Sequence, residues 1–332
     1  MAFSPLATWI GATGQNLCYA LGYDGIYVYA ALNLSPARVI KIDPASMTTL
    51  LTWTAPSGDN TCNGITSDGS YIYAAIETSP SKIRKIDPTT MTTVATWTGA
   101  TGQAYIKGLY FDGTYLYAAL STVPSQVVKI NPATMATVLT WTGSPSNQAN
   151  CKKVHGDGTF IYAAHACASN FGPVSKINPV NMSTVSTWFP TSGNDNTYSI
   201  FFSGGYLYVG LSQSPGKVGK IDPSTMTTVS IWTGASGQNQ TRDVILIGGF
   251  LYAGFNLSPG IVIKIDPASM TTSDVWQVTS PTQPMWGLKE DGNYFYAGQS
   301  SSPARVHKFS TVAAGKPAQG SVASRLLAAG VL

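Results

Sequence analysis

The chain has 332 residues, 44% of them hydrophobic and only 10% charged, with a formal net charge of +4. Charged residues fall well below the usual quarter, so the surface must be built mainly from Ser, Thr, Asn, Gln, Gly and Tyr. The small positive excess contains no basic run, which argues against nucleic-acid binding; no stretch is long enough to span a membrane as a helix, and four cysteines do not make a disulfide framework.

In chain order the first element is a short run, Leu6-Ala7-Thr8-Trp9, which has the same residue types as Val94-Ala95-Thr96-Trp97 far downstream. From there the chain repeats one unit. Trp9, Trp53, Trp97, Trp141, Trp188, Trp232 and Trp276 are spaced by 44 residues, except for a step of 47 after Trp141. The same step carries the lysines Lys41, Lys85, Lys129, Lys176, Lys220, Lys264 and Lys308, and the aromatic pairs from Tyr27/Tyr29 to Tyr294/Tyr296.

The third unit shows what each copy holds. Run A is Ile106-Lys107-Gly108-Leu109-Tyr110-Phe111, followed by Asp112-Gly113, a strong hairpin signal read as a type I′ turn. Run B is Tyr115-Leu116-Tyr117-Ala118-Ala119-Leu120, rich in strand formers. Run C, Gln126-Val127-Val128-Lys129-Ile130, ends at Asn131-Pro132, where proline presets a tight turn. Run D is Thr137-Val138-Leu139-Thr140-Trp141. Every run has strand length and none has room for an amphipathic helix. Seven such units predict an all-β, seven-bladed β-propeller of four-stranded antiparallel blades over residues 1–310. The seventh unit lacks its run D, so residues 3–9 are expected to supply it and close the ring, removing an open sheet edge. Residues 311–332 leave the repeat as a linker and an apolar tail, in which Leu326, Leu327, Val331 and Leu332 are candidates for docking to a protein partner. Met1-Ala2-Phe3 runs straight into the first strand, so no secretion leader is expected.

Chemistry is sparse. Of fifteen acids, nine sit in the Asp-Gly and Asp-Pro turns, where their side chains serve the local backbone. The rest are Asp59, Glu77, Asp195, Asp243, Asp274 and Glu290, with no spacing that marks a carboxylate pair. Blade four gathers Cys151, His155, His165 and Cys167; a metal site is one reading, and buried thiols beside two polar histidines the other, which is preferred. No catalytic residue, metal or cofactor is assigned. Because strand direction alternates, the A–B and C–D turns share one rim and the B–C and D–A loops share the other. The second varies more, so a ligand site is expected there. Six residues after the tryptophans stand Gln15, Asp59, Gln103, Asn147, Asn194 and Gln238, with Gln283 one place later. They are candidates for a polar ring at the mouth of the central channel, able to hold a sugar or hydrated cation, or else to satisfy loop backbone.

At the recurring Lys-Ile-Asp-Pro-x-Thr-Met run, preceded by Tyr-x-Tyr-Ala, the chain resembles the YVTN-type seven-bladed propellers of surface-layer and other extracellular proteins, with Tyr71-Ile72-Tyr73-Ala74 where that family has Tyr-Val-Thr-Asn. The Gly-His and Trp-Asp marks of WD-repeat propellers are absent. The resemblance implies the scaffold and assigns no residue a role. The uncharged exterior and missing leader point to a non-enzymatic structural or binding component exposed on a virus (phage) particle or cell surface, recognising a host glycan or protein or decorating the assembly. The alternative is an extracellular polysaccharide lyase or hydrolase acting at the channel mouth.

Overall fold

The computed structural model describes residues 3–167, 171–190, 196–280 and 283–311. Their 28 strands form seven four-stranded antiparallel sheets, each ordered A-B-C-D from the axis outward. Blades 1 to 6 cover residues 18–54, 62–98, 106–142, 151–188, 196–233 and 241–277. Blade 7 takes strands A to C from residues 285–310 and strand D from Ala7–Ile10, which pairs Ala7 with Lys308 and Trp9 with Val306. The chain is a seven-bladed propeller closed by its N-terminal strand.

Each strand's composition follows from its place. Strand B, as in Ile72–Ile76, is buried at all five positions because neighbouring blades cover both its faces, and its run is continuously apolar. Strand D faces solvent on one side: in Thr92–Thr98 the Thr92, Val94 and Thr98 side chains are exposed while Trp97 is buried. Near the axis the innermost strands crowd together. A Cβ on Gly64 would sit 3.2 Å from the Gly108 Cα, and one on Gly108 would sit 3.2 Å from the Lys153 Cα, so this place takes glycine in three blades.

The core is divided into seven layers, one between each pair of neighbouring blades. The layer between blades 1 and 2 packs Tyr29, Val39 and Trp53 against Ile72, Ile76, Ile86 and Met91. The layer between blades 7 and 1 packs Trp9, Tyr296 and Val306 against Val28, Ile40 and Met47. Repeated polar contacts pin these layers. The Trp53 indole donates to Thr93 Oγ1 of the next blade at 3.0 Å, and Trp9, Trp97, Trp141, Trp188 and Trp232 do the same. Lys85 lies over the Tyr71 ring at 4.0 Å and donates to the Pro132 carbonyl of the next blade at 2.9 Å. Lys308 donates to Pro44, carrying the same bond across the closure. Six of the repeat lysines, Lys41, Lys85, Lys129, Lys176, Lys220 and Lys308, are thus inter-blade clasps, and the first four are buried with the layers.

The A–B turn differs from the expected type I′ arrangement at Asp-Gly. In blade 3 the central residues are Gly113 (φ 96°) and Thr114, one place later. Asp112 stands before them: its Oδ1 accepts from the Thr114 and Tyr115 amides, and its Oδ2 accepts from the Tyr117 hydroxyl at 2.8 Å. The carboxylate therefore serves both the turn and the core tyrosine of strand B. Gly204-Gly205, with both φ positive, makes the type I′ form in blade 5.

Candidate functional site at the channel mouth

Strand A begins at the B–C/D–A rim, so one equivalent residue near its start in each blade faces the channel just inside that rim. These residues are Tyr19, Asn63, Lys107, Lys152, Tyr198, Arg242 and Trp286, and they ring a cavity of about 350 Å³ together with Asn33 and Glu77. This row holds mixed chemistry: three cations, three aromatics and one amide.

The ring has two halves. On one side Arg242 lies 4.4 Å from the Tyr198 ring centroid and 5.0 Å from that of Trp286, and Trp286 stacks on Tyr19 at 4.0 Å. This gives a continuous Tyr198–Arg242–Trp286–Tyr19 stack, held by cation–π and aromatic contacts. On the other side Glu77 pairs with Lys107 and accepts from the Asn63 amide. Lys152 stands between the halves, 5.6 Å from Tyr198 and donating to Ser121 Oγ at 3.3 Å. Burial, and then the nearby Lys107 and Arg242 charges, pull its pKa below the ordinary lysine value.

One step deeper, Lys153 of blade 4 pairs with Asp243 of blade 6. Asp243 also accepts from Ser199 Oγ at 2.8 Å and from the Leu288 amide at 2.9 Å, so one carboxylate joins blades 4 to 7. Below it Leu21, Ile65, Val154 and Leu288 form an apolar, buried collar. The mouth is therefore a cup with an ionic floor. Beyond the collar, at the A–B rim, lies a second cavity of about 260 Å³ lined by Tyr110, His155, Phe201, Lys289 and Glu290. His155 sits 4.8 Å from Tyr110 and 5.1 Å from Phe201, and burial lowers its pKa to about 4.

The polar ring expected six residues after the tryptophans is not at the mouth. None of Gln15, Asp59, Gln103, Asn147, Gln238 or Gln283 lines that cavity. Gln15, Gln103 and Gln238 fold back within their own D–A loops, where Oε1 accepts from the amides of Ala12, Ala100 and Ala235. In blade 4 one inserted residue passes this role from Asn147 to Gln148, whose Oε1 accepts from Ser144 and whose Nε2 donates to Ser175 Oγ at 2.9 Å. Gln283 is exposed, and its carbonyl accepts from Gln299 Nε2. Asp59 is buried and bound to Lys82 at 2.6 Å and to Arg84 Nε at 2.7 Å. Loop backbone uses Gln15, Gln103 and Gln238, and the cations of blade 2 use Asp59; none of the four lines the mouth. Asn194 and the tail residues Leu326, Leu327, Val331 and Leu332 lie outside the described residues.

The metal reading of blade 4 fails on geometry. His165 is fully buried between Ser125 Oγ at 3.1 Å and Ser175 Oγ at 3.0 Å, and burial lowers its pKa to about 3. His155 belongs to the channel, Cys167 points to the Asn147 carbonyl, and Cys151 to that of Lys153. No group of three potential ligands converges among the described residues. All four cysteines are buried and unpaired with one another.

No protein-family model matches the chain, and no curated protein matches it. Among solved structures 1742 chains match, so the architecture alone cannot select a function. One of them is the WD40 β-propeller domain of Doa1, similar with a TM-score of 0.72 over 93% of this chain and 97% of that chain, at 13% sequence identity. At that identity the likeness shows the fold: a seven-bladed β-propeller, whatever it binds.

Proposed function

We propose that the chain is a non-enzymatic binding propeller, exposed on a virus particle or a cell surface, that takes a host glycan at the channel mouth. One observation carries this reading. The blades repeat their scaffold residues, yet at the equivalent channel-facing place near the start of strand A they present seven side chains of mixed chemistry around one small cup. Clefts of this size with a few converging polar groups are the usual form of small-ligand sites. The sparsely charged exterior suits a surface-exposed component. The described acids outside the repeat turns are occupied: Asp59, Glu77 and Asp243 by cations, Asp274 and Glu290 by nearby backbone amides. That supports binding over the polysaccharide lyase or hydrolase alternative. In this reading the tail, residues 321–332, joins the propeller to its assembly, and kinship with YVTN-type surface proteins is part of the same proposal.

The test is to probe the full chain against immobilised neutral and acidic glycans while assaying soluble polysaccharides for new reducing ends or unsaturated products. Saturable binding without turnover is expected. Turnover, or a complete lack of glycan binding, would overturn the reading.

A further inference from the structure

We propose that the sugar taken at the mouth is acidic, with its carboxylate seated between Lys152 and Arg242. This deepens the glycan reading above and rests on it. The first argument is charge. Of the three cations in the ring, Lys107 is neutralised by Glu77, while Lys152 and Arg242 pair with no carboxylate among the described residues. Two uncompensated positive charges thus face one cup, and a positively lined cleft focuses its field on an entering anion.

Unsatisfied donors are the second argument. Arg242 Nε and Trp286 Nε1 are buried without a hydrogen-bond partner. Buried donors normally find acceptors, and here both belong to the ring around the same cavity. An incoming carboxylate offers acceptor oxygens to the Arg242 guanidinium and to Lys152.

The third argument is shape. Tyr19 and Arg242 lie against the Trp286 ring, and Arg242 against Tyr198, so the protein itself uses these aromatic faces. What the cup leaves for a ligand is the charge of Lys152 and Arg242, which suits a compact, acceptor-rich anion better than a planar base seeking a stacking shelf. A volume of about 350 Å³ above the Lys153–Asp243 floor accommodates one sugar residue with its chain leading out of the mouth, which points to a terminal acidic sugar.

Calorimetric titration of the full chain with sodium glucuronate, glucose and inorganic phosphate tests this at low and high salt. Glucuronate is expected to bind at least about tenfold more tightly than glucose, the ratio one charge-assisted hydrogen bond supplies, and its affinity should fall as salt rises. Lys152→Met and Arg242→Met should each weaken glucuronate by about tenfold or more. Glu77→Gln, which frees Lys107, should strengthen it; this variant keeps the test open if Arg242→Met fails to fold. Glucose binding as well as glucuronate would overturn the acidic assignment and leave the glycan reading standing. Phosphate binding as tightly as glucuronate and displacing it would reduce the site to a bare anion site and overturn the sugar. Failure of both sugars would overturn this inference at the mouth, while the glycan screen separately decides the broader reading.

Discussion

The two ends of strand A follow opposite rules. Where it leads into the A–B turn, five blades repeat the same device, an aspartate that holds the turn amides and the buried tyrosine hydroxyl, as Asp68 does with Tyr73 at 2.6 Å. Where it enters from the B–C/D–A rim, neighbouring blades place Asn63, Lys107, Lys152 and Tyr198 at one equivalent position. In those five blades the first end meets a neighbour built on the same plan and is satisfied in the same way, while blades 5 and 6 turn on Gly204-Gly205 and Gly248-Gly249 instead. The second end faces empty space on the axis, and no neighbour dictates its side chain. In a closed ring of repeats, uniform positions report on the scaffold and discordant ones are free for a ligand.

The largest effect should come from breaking the ring's uniformity at the closure. Deleting residues 1–10 removes strand D of blade 7 and the buried Trp9. A buried Trp lost alone costs about 3–5 kcal/mol, and an exposed strand C edge adds to it. The denaturant midpoint should drop sharply, and an unchanged midpoint would show that the closing strand is dispensable.

Next comes a scaffold position where one blade departs from its fellows by charge. Asp59 takes the place of a loop amide and brings Lys82 and Arg84 with it. Arg84→Ala leaves a buried carboxylate half-paired, with an expected loss of about 3–5 kcal/mol. The double variant Asp59→Gln/Arg84→Ile, which restores the pattern of blades 1 and 6, should recover most of that loss. If the single and double variants melt alike, the pair is not acting as a unit.

A smaller, graded effect is expected from acid. His155, His165 and His307 are held neutral, with pKa values lowered by burial to about 4 at His155 and about 3 at the other two, aided at His307 by Arg305. The unfolded chain binds these protons at about pH 6.5 and the folded one only well below it, so stability is flat above 6.5 and falls as pH drops through the window beneath. The slope is about 1.4 kcal/mol per pH unit for each histidine. Because His307 joins Thr8 at 2.9 Å and Gln299 at 3.1 Å, one of the three contributions sits on the closure. Urea titrations at pH 7.5, 6 and 5 on the wild type and His307→Gln check it: the variant should lose about a third of the slope.

The fold was legible because its signals are periodic. The tryptophans, lysines and Tyr-x-Tyr runs mark strands whose burial is the same in each blade, and the orphan run at Leu6–Trp9 pointed to the missing strand. The site was less so. The amides at Gln15, Gln103 and Gln238 drew attention by their uniformity, yet that uniformity was the sign of a loop cap, as their bonds to Ala12, Ala100 and Ala235 show. Four residues further on, the discordant row Tyr19, Asn63, Lys107 was equally visible. Its blade-4 member, Lys152, is displaced by the same insertion that passes the cap to Gln148. What no spacing could reveal is the Lys153–Asp243 pair, which joins residues 90 positions apart across the axis.

The closing strand also sets an order of events during synthesis. Thr8 finds His307 only after 299 residues. At typical elongation rates that is a wait of roughly 15 to 60 s, during which blades 1 to 6 can fold on their local hairpins while Ala7–Ile10 stays unpaired beside them. The strand made first is placed last, and until Arg305–Ser310 leaves the ribosome every nascent chain is an open arc with a pairing edge at each end.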